Sequence, residues 1–366
     1  MPPFRPCPSL LIASLLAGGA MSGCEPADQP SVEKATEQVV SIMTFNVENL
    51  FDTRDDPGKD DKTFLPLAAK QSETHIAECN LITVDRWREQ CLDWDWSEEV
   101  LDYKLSVVAQ VILQVENGRG PDILALQEVE NLAILERLRT EYLQDAGYLP
   151  GILIEGDDLR GIDVAFLSRL QLAEPAVLYP FVPSERFADR AGDVRGVLEA
   201  TFVLPDGTWL TGYSLHLPAP FHPTDLRIES YEMVNRLRDS LPEDRLAFAA
   251  GDFNTTSTED REQHMFDRFW KPSWQLVHEE CRGCPGTTYY ERDDRWSFLD
   301  VIAWRLPINR GAHTTWDIRA DSVQIANRTP QQVTPNGTPA RFRLPQIDGV
   351  SDHWPLLVKI ELNQKQ

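Results

Sequence analysis

Short β-type runs in this chain repeatedly end on residues able to hold a proton or a cation, and that recurrence constrains the fold more than any single motif. The apolar residues 246–250 lead into Gly251-Asp252-Phe253-Asn254, and Ser351-Asp352-His353 leads into the run 354–360. Asn46 and Glu48 follow residues 39–45, Glu128 follows 123–127, His216 follows 209–215, and Asp300 lies within 298–304. Taken singly, these are ordinary turn residues, because Gly, Asp, Asn and Ser serve the backbone. A lone Asp300 is equally well explained by backbone amides, and a lone His353 by a core hydrogen bond. As an ordered set they point to a site, since acids gathered at strand ends repel one another unless a cation lies among them.

Between these runs the pattern alternates. Residues 98–115 place Val100, Leu101, Leu105, Val108, Ile112 and Val115 at near-helical spacing behind Ser97, and residues 131–142 and 224–240 also read as helices. Residues 151–154, 162–167 and 197–204 read as strands, and Asp206-Gly207 joins the last of these to 209–215 as a hairpin. Hairpins mixed with helical crossovers predict an α/β domain with mixed sheets, occupying residues 39–362 as one unit. Residues 49–96 lack a clean period and read as a long excursion. A calcium loop is conceivable at its acids Asp52, Asp55, Asp56, Asp60 and Asp61, but their spacing is not that of an EF-hand, and a solvated loop is the ordinary meaning.

A net charge of -23 counts against a protein that coats DNA by charge alone. It does not exclude an enzyme acting on phosphate, because a bound cation and a few arginines set a local field against the global one.

The first residues read as an export signal. Arg5 supplies positive charge, residues 10–16 an apolar core, and Met21-Ser22-Gly23-Cys24 a small-residue end. Cysteine after a small residue is where bacterial lipoprotein precursors are cut and acylated. The expectation is therefore a signal over residues 1–23, lipidation at Cys24, a polar linker over 24–38, and a location outside the cytoplasm on the cell envelope. The alternative is plain secretion with a free Cys24. Cys79, Cys91, Cys281 and Cys284 then face an oxidising compartment. Four cysteines allow three connectivities; nearest-neighbour pairing gives Cys79–Cys91 and Cys281–Cys284.

Hydrolysis of a phosphodiester needs water to attack an anion and an alkoxide to leave, and a hard divalent cation helps both. Mg²⁺, with Mn²⁺ as a substitute, needs only one or two carboxylates besides water and substrate. Glu128 is the first candidate ligand, with Asn46 and Glu48 beside it and Asp352 as a further acid. Asp252 and Asn254 alternate along one loop and can face one cleft. Asp300 can fix one ring nitrogen of His353, leaving the other for phosphate or water, with His216 as a second donor.

These motifs, in this order, resemble the endonuclease/exonuclease/phosphatase superfamily from about Val39 to about Leu362. The resemblance implies a four-layer sandwich, two mixed β-sheets packed face to face with helices on the outside, and an active site at one end. It implies that Glu128 binds metal and Asn46 positions the site. Asp252 and Asn254 would orient or deprotonate water, Asp300 and His353 would act as a pair beside Asp352, and His216 matches the histidine of deoxyribonuclease-like members. Asn46-Val47-Glu48-Asn49-Leu50-Phe51-Asp52 looks most like exported bacterial nuclease-like proteins. Such members often place Lys-Ser soon after the histidine, whereas Leu217-Pro218-Ala219-Pro220 stands here. Arg160 and Arg195 are candidate replacements for the missing phosphate contacts, with surface salt bridging as the alternative.

The expected activity is metal-dependent hydrolysis of phosphodiesters by direct attack of water, in an extracytoplasmic, monomeric nuclease held to the membrane by lipid alone. The runner-up is a phosphatase or phospholipase-C-like enzyme on a small or lipid-linked substrate, and the third reading is a binding protein that kept the fold and lost catalysis.

Overall fold

Residue parity along the apolar runs decides which side of each strand faces which layer. The structure, a computed structural model, describes residues 38–306 and 316–363. The expected signal, Cys24 and nearly all of the expected linker lie outside the described residues.

From its first strand, β1 (Val39–Leu50), the chain passes through helices α1 (Glu73–Cys79), α2 (Asp85–Asp93) and α3 (Glu98–Leu113) to β2 (Ile123–Val129). Helix α4 (Leu132–Arg137) and strands β3 (Ile152–Leu153), β4 (Asp163–Ser168), β5 (Val177–Tyr179), β6 (Val197–Val203) and β7 (Trp209–His216) follow. Helix α5 (Thr224–Ser240) leads to β8 (Leu246–Asp252), then α6 (Ser257–Gln263), α7 (Met265–Phe269) and β9 (Trp274–Leu276). The hairpin β10 (Thr288–Tyr290) and β11 (Arg295–Ser297) precedes β12 (Asp300–Arg305), β13 (Trp316–Ile325) and β14 (Leu356–Leu362).

Two six-stranded sheets result, one in the order β13-β14-β1-β2-β4-β3 and the other β5-β6-β7-β8-β12-β9. Each has a single parallel pair at its centre, β1 with β2 and β7 with β8, flanked by antiparallel strands. A parallel pair needs a crossover. Helix α3 lies in the first crossover and α5 in the second, and both pack on the outer faces. Val40 and Ile42 of β1, Ile123 and Ala125 of β2 and Phe166 of β4 meet Leu198, Phe202, Phe248 and Ile302 between the sheets. Met43, Phe45, Leu124 and Leu126 point the other way, onto Leu101, Leu105 and Val108 of α3. Tyr213, Leu215, Ala249 and Val301 likewise cover Tyr231 and Val234 of α5. The expected sandwich, with helices outside, is the observed one. Edge-on rings join the sheets: the Phe166 centroid lies 5.4 Å from that of Phe202.

The excursion over residues 49–96 contains more order than its sequence suggests. It holds α1 and α2, yet buries only His75 and Cys79 from α1 and Cys91 from α2. A disulfide between Cys79 and Cys91 supplies the contact that an apolar stripe would otherwise supply, so no helical period shows. Cys281 and Cys284 form the other bridge. Strand β13 was not anticipated either. Its pairing with β14 slips between Arg319 and Gln324, which breaks the alternation on which strand reading depends.

Candidate active site

The inner-face parity that buries Ile42 carries on to Thr44 and Asn46, just as Phe248 and Ala250 lead to Asp252 and Ile302 leads back to Asp300. Apolar packing therefore gives way to polar contact toward one end of the sandwich. Thr44 Oγ1 donates to Gln127 Oε1 at 3.1 Å, forming a buried polar step below the site. One step further, Asn46 Nδ2 lies 3.2 Å from Glu128 Oε1 and 3.1 Å from Asp252 Oδ2, so one amide gathers a carboxylate from each sheet. His216 and Asp252 are register partners at the ends of β7 and β8, and Asp300 is the partner of Asp252 from β12.

Glu128 breaks the parity. Leu124 and Leu126 face α3, so an unperturbed strand would send Glu128 outward as well. Instead its φ is +64°, and the pairing of β2 with β4 is irregular between Gln127 and Val129. The left-handed residue swings the carboxylate inward, where the Asn49 N–H donates to Oε2 at 2.9 Å. Glu48, Asn49 and Asn254 also have positive φ, at +53°, +59° and +52°. Left-handed backbone costs a non-glycine residue roughly 1–2 kcal/mol, less for Asn, and it collects here because strands must be turned at their ends to aim these side chains. Asn254 is held by its own N–H on Asp252 Oδ1 at 2.9 Å and by its Nδ2 on Leu217 O at 2.9 Å.

The two histidines are tuned in opposite directions. His353 Nδ1 sits 2.7 Å from Asp300 Oδ2, and its Nε2 is 3.8 Å from Asp252 Oδ2. Burial alone would lower its pKa, but the Asp300 and Asp252 carboxylates raise it well above the usual value, so it is an imidazolium at neutral pH. His216 Nε2 is 3.6 Å from the same Asp252 oxygen and 3.8 Å from Glu128 Oε1. Burial, helped by Arg195, Arg160 and His353, drives its pKa well below the usual value, so it is neutral. Burial, with Asp300 and Glu128 adding repulsion against the opposing pull of His353, raises Asp252 to about 7. Ser351 ties this end together, donating to Asn46 O at 2.8 Å and accepting the His353 N–H at 3.0 Å.

Several expected residues take other places. Glu48 does not point at Glu128. Its Oε1 is 3.0 Å from Arg341 Nε, and its Oε2 accepts the N–H groups of Phe342 and Asp352. Asp352 is paired with Arg341 as well. Burial and Asp352 raise Glu48 to about 8. Asn46 reaches the carboxylates through its donor, while its Oδ1 accepts the Glu48 N–H at 3.0 Å. Arg195 is buried and turned inward, where four of its five N–H groups are spent on Asp158 Oδ2, Asp193 O, His216 O and Leu217 O. Arg160 does reach the rim, where its Nη2 donates to Asn49 Oδ1 at 2.8 Å.

Arg341 and Lys104 were not singled out from the sequence. Arg341 lies in an irregular segment with no period to mark it. Lys104 occupies a helix face otherwise made of apolar side chains; it is fully buried and donates to Val350 O at 2.6 Å. Burial lowers its pKa to about 8, while Glu48, Glu128 and Asp352 pull the other way. A lysine buried on the apolar side of a helix was the one available signal.

The donor chemistry fits a hard divalent cation. Glu128 keeps 14% of its side chain exposed, and Oε1 faces the space shared with Asp252 and His216. All the nearby anionic donors are oxygens, as Mg²⁺ or Mn²⁺ prefers.

Comparison with known proteins identifies the family and the fold. Residues 96–353 match the family model described as "Endonuclease/Exonuclease/phosphatase family". No curated protein matches the chain in sequence. Among solved structures, a member of that family from Bacteroides thetaiotaomicron superposes with a TM-score of 0.54 at 16% identity, covering 90% of this chain and 100% of that one. D. rerio TDP2 complexed with single-strand DNA product gives 0.50 at 16% identity, over 89% and 99% of the two chains. A mannosyl-6-phosphatase from Bacteroides thetaiotaomicron gives 0.50 at 16%, over 88% and 99%. With most of its catalytic layer inside the matched span and the fold shared, the chain belongs to the endonuclease/exonuclease/phosphatase family, whose members hydrolyse phosphoester bonds.

Proposed function

We propose that this chain is a Mg²⁺- or Mn²⁺-dependent phosphodiesterase, a nuclease working outside the cytoplasm, in which water attacks phosphorus directly. The observation that carries this reading is the pair of oppositely tuned histidines on Asp252, with His216 at 3.6 Å and His353 at 3.8 Å from one carboxylate oxygen. Glu128 would hold the cation. When bound, such an ion polarises the phosphoryl oxygens and steadies the leaving oxygen. Asp252 is fixed by Asn46 and Asn254 and accepts the proton of the attacking water. His353, charged through Asp300, donates to a phosphate oxygen, and neutral His216 offers a second donor. Arg160 stands at the rim where a neighbouring phosphate would pass.

One observation favours the alternative, a phosphatase or phospholipase-C-like enzyme on a small or lipid-linked substrate. Arg195 is buried on internal acceptors and Leu217-Pro218-Ala219-Pro220 stands where a Lys-Ser pair was expected, so these two expected contacts for a polymer's phosphates are missing. The fold serves both, since solved relatives include one with a DNA product and one named as a sugar phosphatase.

Export and lipidation at Cys24, followed by the linker over 24–38, belong to the same proposal, as does the monomeric state. Two disulfides support an oxidising compartment. Among the described residues no helix is long and apolar enough to cross a membrane. The experiment is hydrolysis of plasmid DNA, RNA and a phospholipid panel with Mg²⁺, Mn²⁺ or chelator. Metal-dependent plasmid nicking that disappears in His353→Ala supports the nuclease. Intact nucleic acid with released phosphate or headgroup moves the assignment to the alternative.

A further inference from the structure

Three carboxylates outside the catalytic set converge where the loop after β1 folds back on the end of β2. Asp56, Asp61 and Glu130 each bring one oxygen within 4.8 Å of the others. Asp61 is 1% exposed and Glu130 3%, with Asp56 partly buried at the rim. One oxygen of each buried acid is satisfied: Asp61 Oδ2 accepts the Asp56 N–H at 2.8 Å, and Glu130 Oε2 accepts the Asp52 N–H at 2.6 Å. The other two, Asp61 Oδ1 and Glu130 Oε1, are buried without a hydrogen-bond partner. Nearby lysines are engaged elsewhere. Lys59 Nζ is 2.9 Å from Gly156 O and from Asp158 O, and Lys62 pairs with Asp60 and Glu78.

Buried carboxylate oxygens without donors are costly unless a proton or a cation answers them. We propose that Asp56, Asp61 and Glu130 form a structural divalent-cation site, separate from the catalytic one, whose preferred occupant is Ca²⁺. Ca²⁺ takes six to eight oxygens in flexible geometry, combining carboxylates with carbonyls and water, whereas Mg²⁺ demands a tighter octahedron. Two hard oxygen donors on an irregular loop and a third at the end of β2 match the first description.

The position gives the ion a task. Glu130 N–H donates to Leu50 O at 3.0 Å, and Asp60 N–H to Leu159 O at 2.6 Å, so the acidic loop already joins the ends of β1 and β2 to the segment carrying Arg160. Ca²⁺ would lock that junction, holding the rim beside the catalytic carboxylates without contributing a ligand to them.

The test uses the full chain, stripped with chelator and titrated with Ca²⁺ at constant ionic strength, followed by calorimetry and thermal melting. Wild type is expected to bind Ca²⁺ saturably and to melt roughly 3–6 °C higher when saturated. Asp61→Asn and Glu130→Gln should lose that heat and that shift, while Glu128→Gln, altered at the catalytic site, should keep both. Mg²⁺ at equal concentration should give a smaller response at this site. No Ca²⁺ response in wild type, an undiminished one in Asp61→Asn, or loss only in Glu128→Gln would each overturn the proposal, leaving protons as the answer to the buried charge. In chelator, Asp61→Asn should melt no lower than wild type, because it removes an uncompensated buried charge. If it unfolds instead, Asp56→Asn at the rim is held to the same criterion.

Discussion

His353 Nδ1 and Asp300 Oδ2 lie 2.7 Å apart at the site end of the sandwich, the acid arriving on β12 and the ring just ahead of β14, from opposite sheets. The pair makes the ring a charged donor in a place where burial alone would make it neutral. Asp300→Asn keeps the shape and removes the charge. Turnover should fall on the order of 10²–10⁴-fold, the usual worth of a positioned proton donor, with a melting temperature within a few degrees of wild type. A steady-state assay beside a thermal melt checks this; near-normal turnover would mean the pair is structural.

Glu128→Gln removes the carboxylate best placed to hold the catalytic cation and keeps one acceptor oxygen, enough for either the Asn49 N–H or the Asn46 amide but not both. Loss of several kcal/mol of transition-state stabilisation corresponds to roughly 10²–10⁴ in rate. The fold should persist in chelator, since relief of repulsion with Asp252 offsets the lost charge-assisted hydrogen bond. Unchanged metal-dependent turnover would exclude Glu128 as the ligand.

Gly251 on β8 lies against the backbone of Leu215 on β7. A Cβ there would sit 1.9 Å from Leu215 O, a backbone atom that cannot swing aside. Gly251→Ala should cost about 2–4 kcal/mol, the range of severe backbone strain. Activity should fall further than stability, because that contact sets His216 opposite Asp252. Urea denaturation and turnover measured on one preparation separate the two effects.

Much of this site was legible from parity and punctuation. Asn46, His216, Asp252 and Asp300 continue alternations that apolar residues establish, and the hairpin at Asp206-Gly207 formed with Val203 opposite Trp209. What parity could not supply was the effect of left-handed backbone. Glu128 reaches the site only because its strand is irregular there, and Glu48, also at positive φ, meets Arg341. Arg195 illustrates another limit: whether a guanidinium faces solvent or four internal acceptors depends on tertiary contacts that a local pattern does not encode. The helices near Cys79 and Cys91 escaped notice because a covalent bond did the work of a hydrophobic stripe.

His278 offers a pH dependence away from the catalytic groups. It stacks on Phe298, with ring centroids 5.0 Å apart, and lies 5.5 Å from Phe266. Burial, with a smaller push from Lys271, lowers its pKa to about 4, against about 6.5 in the unfolded chain. The fold therefore favours the neutral ring. That contribution is fully present above about pH 6.5 and is lost as pH falls toward 4, on the order of 3 kcal/mol in all. His278→Phe should remove this sensitivity, so its stability advantage over wild type should grow between pH 7 and pH 4.5. Urea midpoints at both values test it; a constant difference would mean that the ring accepts its proton freely in the fold.

Strand β1 lies between β2 and β14, with Val39 opposite Glu361 and Thr44 opposite Leu356. The first strand of the domain to leave the ribosome thus waits for the last before both its edges are covered. Ser351 and His353 arrive with that final segment, so a nascent or prematurely terminated chain can display Glu128, His216 and Asp252 and still lack the group charged by Asp300. If His353 acts as proposed, the site can be assembled only after β14 has followed the rest of the domain off the ribosome, and the order of synthesis itself delays hydrolysis.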